Sequence, residues 1–137
     1  MTIVVDASVA LKSVLPENGS DVALALRSQS LAAPSHWLIE AGNALWRYVQ
    51  TNRLPVADAV LSLRELAEAP VTSVASGEIL PQAFNIATQL QHPVYDCLYL
   101  ALAVREDCHV VTADRRFLSA CSKDKRLKAH IRLLDGL

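Results

Sequence analysis

Thr2-Ile3-Val4-Val5-Asp6-Ala7-Ser8-Val9-Ala10-Leu11-Lys12 reads as a short apolar β-run that ends on an acid and passes at once into a helix. The same grammar returns at Val110-Val111-Thr112-Ala113-Asp114, ahead of Arg115-Arg116-Phe117. Uninterrupted apolar runs of this kind suit parallel strands covered on both faces, and an acid at their end lies on the C-terminal edge of the sheet. Two further acids, Glu40 and Asp96, fall on helices that can pack against that edge. Four carboxylates without a matching set of buried bases raise one another's pKa and call for a cation. Oxygen-only ligation favours a hard ion, magnesium or manganese, over zinc.

Outward from these runs the chain alternates. Helices are expected over Ala7 to Leu15, Asp21 to Ser30, His36 to about Thr51 with Ser35 as N-cap, Pro55 to about Ala67, Gly77 to Gln91, Pro93 to Asp107 and Arg116 to Cys121. Strands are expected at Thr2 to Val5, Leu31 to Ala33, Val71 to Val74, His109 to Thr112 and Ile131 to Leu134. Such alternation predicts a three-layer α/β/α sandwich around a central, mostly parallel sheet of four to five strands. No linker divides residues 1–137, so one domain is expected.

Composition narrows the function classes. The chain is 52% hydrophobic but 5% aromatic, so its core is aliphatic. The longest clean apolar run, Cys97 to Val104, is far below the ~20 residues of a membrane span. The N-terminus enters a candidate strand directly, so no signal peptide and a cytoplasmic location are expected. Cys97, Cys108 and Cys121 are scattered and odd in number, as reduced structural thiols are. A net charge of -1 argues against bulk attraction to nucleic acid, yet the residues from Arg105 onward carry eight bases against five acids.

Each acid also has an ordinary explanation. Asp6 and Asp114 suit N-caps of the helices that follow them, and Asp96 suits the positive end of a helix dipole. Yet the helix after Asp96 runs Cys97-Leu98-Tyr99-Leu100-Ala101-Leu102-Ala103-Val104, apolar on nearly every face, so that acid stands at the mouth of a buried element and needs a partner. On the long helix, Trp37, Leu38, Ala41, Ala44, Leu45 and Tyr48 form the apolar stripe, while Glu40 and Asn43 lie on a polar stripe beside it. Ile39 and Trp46 face away, a second apolar surface suited to another chain. With glycine only at 19, 42, 77 and 136 there is no phosphate-cradling loop. His36, His92, His109 and His130 lack paired metal-ligand spacing and read as surface or packing residues.

Taken together, Val4-Val5-Asp6-Ala7-Ser8-Val9-Ala10-Leu11-Lys12, Glu40 on its long helix, Tyr95-Asp96-Cys97-Leu98-Tyr99-Leu100-Ala101-Leu102-Ala103 and Val111-Thr112-Ala113-Asp114-Arg115-Arg116-Phe117 resemble the motifs of PIN-domain ribonucleases, in particular the VapC-type toxins of toxin-antitoxin pairs. The resemblance covers nearly the whole chain. It implies cleavage of RNA with Mg2+ or Mn2+, homodimerisation, and inhibition by a small VapB-type antitoxin. Asp6, Glu40, Asp96 and Asp114 match the acidic quartet, as catalytic and metal-holding residues, and Ser8, Thr112 and Asn43 match supporting positions. Lys12, Arg115 and Arg116 are candidates for RNA phosphate contacts or for exposed ion pairs. Ser13 departs from the pattern, since many relatives place an aromatic residue there.

Other classes fit less well. A phosphorylatable receiver domain would carry an adjacent acidic pair by the first strand. A metal-dependent adhesion module would read Asp-x-Ser-x-Ser where this chain reads Asp6-Ala7-Ser8-Val9-Ala10. A PIN-type RNA-processing nuclease without an antitoxin and a non-catalytic metal-binding α/β module remain as alternatives.

Overall fold

In a computed structural model, which describes residues 2–137, five parallel strands form one sheet. The elements follow in the order β1 (Thr2–Val5), α1 (Ala7–Lys12), α2 (Ser20–Ala25), β2 (Ser30–Pro34), α3 (Trp37–Gln50), α4 (Val56–Glu68), β3 (Val71–Val74), α5 (Ser76–Leu90), α6 (Val94–Arg105), β4 (His109–Thr112), α7 (Arg115–Cys121), α8 (Lys125–Lys128) and β5 (Ile131–Leu133). The strand order is β3-β2-β1-β4-β5, so β1 is central and the order reverses beside it, between β1 and β4. A crevice at such a reversal is where open parallel sheets place their ligands.

The strands alternate their side chains between two cores. Val4, Ala32, Val110 and Ile131 face a large cluster with Trp37, Leu45, Ile79, Leu100 and Phe117, built from α3, α5, α6 and α7. Ile3, Val5, Leu31 and Val111 face a smaller one with Val9, Ala23 and Leu26, from α1 and the α2 segment. The sandwich therefore has three layers, as expected. Helix α6 explains its own position: every residue from Cys97 to Ala103 is buried, and a helix that is apolar all round must lie inside. Among the described residues, no helix is long and apolar enough to cross a membrane. The thiols of Cys97 and Cys121 are buried and free, and burial pushes both up to about 12, which leaves them as packing groups.

Several boundaries differ from expectation, each for a local reason. Helix α1 stops at Lys12 rather than Leu15, because the Ser13 hydroxyl and amide both donate to the Ala10 carbonyl, at 2.6 and 3.1 Å, and tighten the last turn. Ser35 does not cap α3, whose first flanking residue is His36. Its hydroxyl instead accepts from the Ser76 amide at 3.1 Å, tying β2 to the start of α5. The short helix α8 lies in the basic stretch after Ser122, where Asp124 caps it by accepting from the amides of Arg126 and Leu127.

The layer arrangement predicts where stability resides. Leu102→Ala, at a position with no exposed surface, should cost about 2–5 kcal/mol in urea unfolding. Ile39→Ala, at a side chain that is 76% exposed, should stay within about 0.5 kcal/mol.

Candidate active site

Strand β1 ends at Val5, and Asp6 turns the chain into α1 with its carboxylate buried at the centre of the sheet edge. Asp6 Oδ1 accepts from the Ser8 hydroxyl at 2.5 Å and from the Val9 amide at 3.1 Å, and Oδ2 accepts from the Thr112 hydroxyl at the end of β4. Asp6 is thus both the helix cap and a fixed acid of the site. Desolvation raises its pKa to about 6, with these hydrogen bonds pulling the other way and Asp96 adding a like charge. Asp114 caps α7 in the same manner, accepting from the Arg116 amide at 2.9 Å through Oδ1.

The helical acids are held by imidazoles and a phenol. Tyr99 donates to Glu40 Oε1 at 3.0 Å, and His36 Nε2 stands 2.6 Å from the same oxygen, off the direction of a regular hydrogen bond. His36 is steadied in turn by a 2.9 Å bond between Nδ1 and the Ser76 hydroxyl. His92 Nε2 lies 2.7 Å from Asp96 Oδ2. Burial raises the Asp96 pKa, His92 opposes the rise, and Asp114 and Glu40 add to it. The two pairs share one device, a histidine four residues before its acid on the same helical face.

All four acids line a single small cavity of about 80 Å³ with Ala7, Ser8 and Tyr99. The structure therefore brings together Asp6, Glu40, Asp96, Asp114 and Ser8, with Thr112 directly behind Asp6. Asn43 is exposed and does not line the cavity. Lys12 borders a larger adjoining groove, where its ammonium donates to the Asn18 carbonyl at 2.9 Å and lies 3.7 Å from Glu17. Arg115 and Arg116 border a recess on the other side, beside His92, and Arg115 is paired with Asp135 at 2.9 Å. His36, His92 and Tyr99 escaped the sequence reading. Their signals were His36-to-Glu40 and His92-to-Asp96 spacings of four, and a Tyr three residues after Asp96.

The donor chemistry suits a hard divalent ion. Among the described residues, Glu40 Oε2, Asp96 Oδ1 and Asp114 Oδ2 have no protein partner, so three acids each offer one uncommitted oxygen around the cavity. The acids do not already close into a cage: among the described residues, no three carboxylate, imidazole or thiol side chains stand together as a preformed ligand set.

Comparison with known proteins bears on the family and the fold. The family model for the PIN domain matches residues 3–123. A relative from Pyrobaculum aerophilum, Ribonuclease VapC3, is 35% identical over 124 residues, covering 85% of this chain and 92% of the relative. Ribonuclease VapC9 of Mycobacterium tuberculosis is 32% identical over 114 residues, covering 83% and 87%. The crystal structure of PAE2754 from Pyrobaculum aerophilum superposes with a TM-score of 0.76 at 22% identity, covering 99% of this chain and 91% of that one, a likeness of fold.

The Asp6 environment predicts a pH signature. A carboxyl whose pKa rises from 3.8 to about 6 on folding leaves stability intact below pH 3.8 and withdraws it as pH rises toward 6. The cost of the buried charge is on the order of 3 kcal/mol above that window. Asp6→Asn, which cannot ionise, should therefore gain on the wild type in metal-free urea unfolding as pH goes from 5 to 7.5. A constant difference between the two proteins across that range would contradict the assignment.

Proposed function

The chain belongs to the PIN-domain family, and on that premise we propose that it is a divalent-metal-dependent endoribonuclease and the toxin of a VapBC-type pair acting in the cytoplasm. The carrying observation is the single cavity at the sheet's C-terminal edge lined by Asp6, Glu40, Asp96 and Asp114. These four would hold Mg2+ or Mn2+, which when bound supplies Lewis-acid stabilisation of a phosphodiester and a more acidic water.

The remaining work falls to the chain itself. Ser8, Thr112 and the Val9 amide fix the plane of the Asp6 carboxylate. Tyr99 and His36 both engage Glu40 Oε1, which leaves Oε2 turned to accept a proton or a ligand at a defined position. His92 restrains Asp96 in the same way and leaves Oδ1 available. No histidine is needed as general base, so attack by water should leave 5′-phosphate and 3′-hydroxyl ends.

Apolar side chains at the surface support protein partners. Leu38, Ile39, Gly42 and Leu63 line an open apolar groove of about 490 Å³ between α3 and α4, suited to an amphipathic helix of an antitoxin. Leu80 and Phe84, one turn apart on α5, and Tyr95 on α6 are 45%, 57% and 67% exposed and suit a homodimer face.

With a mixed RNA pool, purified protein should cut in Mg2+ or Mn2+, stop in EDTA, and lose about two orders of magnitude of activity as Asp6→Asn or Asp96→Asn. Products ending in 2′,3′-cyclic phosphate would reject the mechanism. Because the ligands must be deprotonated and Asp6 titrates near 6, metal affinity should climb from pH 5 to 7.5, with proton release on binding. Calorimetric titrations that gave the same affinity at both ends of that range would count against metal binding at Asp6.

A further inference from the structure

Beside the acid cavity runs a larger groove of about 610 Å³, and the two share Ala7, Ser8, Glu40 and Asp114. Its far wall is the C-terminal end of α3, where Arg47, Tyr48 and Arg53 meet. The local backbone explains how they meet. Asn52 adopts a left-handed conformation at φ 57°, the Asn52 amide bonds the Val49 carbonyl at 3.1 Å, and the Arg53 amide reaches back to the Tyr48 carbonyl at 2.8 Å. This is a Schellman closure with Asn in place of the usual Gly. It returns Arg53 over the ring of Tyr48, with the guanidinium carbon 4.2 Å from the ring centre.

In such closures the residue after the turn ordinarily makes an apolar contact with the helix, which would seal the end. Here that contact is a cation over an aromatic ring, on the wall of a groove that opens onto the candidate catalytic acids. Among the described residues neither Arg47 nor Arg53 stands in an ion pair, whereas Lys12 across the groove is engaged by Asn18 and Glu17. A guanidinium laid over an aromatic ring, with a second guanidinium free of ion pairs lining the same groove, matches the needs of single-stranded nucleic acid, which is held by stacking of splayed bases and by contacts to phosphate.

We propose that Tyr48 and Arg53 form a stacking platform for one unpaired base of single-stranded RNA next to the scissile position, with Arg47 contacting a neighbouring phosphate. The assignment rests on the nuclease reading for its substrate class and deepens it. It also accounts for RNA binding by a chain of net charge -1, since the grip is local rather than a general basic surface.

The test is equilibrium binding of a fluorescently labelled eight-nucleotide single-stranded RNA in EDTA, where cleavage is not required, over a series of salt concentrations. Tyr48→Phe should bind like the wild type, while Tyr48→Leu and Arg53→Ala should bind roughly five- to a hundred-fold more weakly. The salt slope of Tyr48→Leu should be unchanged, because stacking releases no counterions. Arg47→Ala should lower that slope by about 0.7. Arg105→Ala, which removes a side chain paired with Glu78 and Glu106 away from the groove, should match the wild type. Tyr48→Leu or Arg53→Ala proteins that melt at lower temperature but bind RNA undiminished would show a helix closure and nothing more, and would overturn the proposal. Wild-type protein that fails to bind the RNA would overturn it too. Wild-type cleavage with unaltered Tyr48→Leu binding would sink the platform and spare the nuclease, and binding that follows the prediction without metal-dependent cleavage would do the reverse.

Discussion

A carboxylate buried at the end of the central strand is the constraint around which this molecule is arranged. Asp6 sits where β1 is flanked by β2 and β4, and its two oxygens collect the Ser8 hydroxyl and Val9 amide from α1 and the Thr112 hydroxyl from β4. Those bonds make one residue the hinge pin of a strand, a helix start and the neighbouring strand. They do not fully offset desolvation, because the carboxyl still titrates well above its ordinary range. An apolar side chain at this position would spare the desolvation but would leave the Thr112 hydroxyl and the Val9 amide without their acceptor. A charge held there at a cost in stability is consistent with the role proposed for Asp6.

Asp96 repeats the compromise, its carboxyl pushed up by burial against the pull of His92. Glu40 and Asp96 are half-buried, each with a histidine one turn earlier, and Asp114 has only the Arg116 amide of α7. Each restraint occupies one oxygen and leaves the second without a protein partner among the described residues. Like charges that raise one another's pKa across so small a space would drift apart if they were on mobile side chains. Hydrogen bonds limit that drift, yet among the described residues the acids do not close into a preformed ligand set, so a cation would have to draw them together.

Much of this was legible in the chain because it follows from short-range regularities. The acid-ended runs at Ile3 to Asp6 and Val110 to Asp114 required a parallel sheet edge, and the all-round apolarity after Asp96 required a buried helix. What stayed hidden depends on three-dimensional closure. His36 and His92 read as surface or packing residues, and their actual partners are the acids four residues onward. Tyr99 was absorbed into an apolar stretch although its hydroxyl crosses to α3. Ser35 had the residue type and position of a cap, yet packing of β2 against the start of α5 offered its hydroxyl a different amide. The Tyr48 and Arg53 pair depends on a single left-handed residue, Asn52, which no periodicity reveals.

The charge distribution shows why an almost neutral chain is suited to a polyanion. Acids occupy the cavity at the sheet edge, where a divalent ion would reverse their sign locally. Cationic side chains flank it on two sides, Lys12, Arg47 and Arg53 toward α3, and Arg115, Arg116 and Lys123 toward α7. An extended phosphate backbone laid across the cavity would meet positive charge, then the acids and any ion they hold, then positive charge again. A duplex presents its phosphates on the outside of a stiff cylinder and hides its base faces, so it could not use the ring of Tyr48. A single strand that bent into the groove and offered a base to the proposed platform would be recognised by its flexibility as well as by its charge.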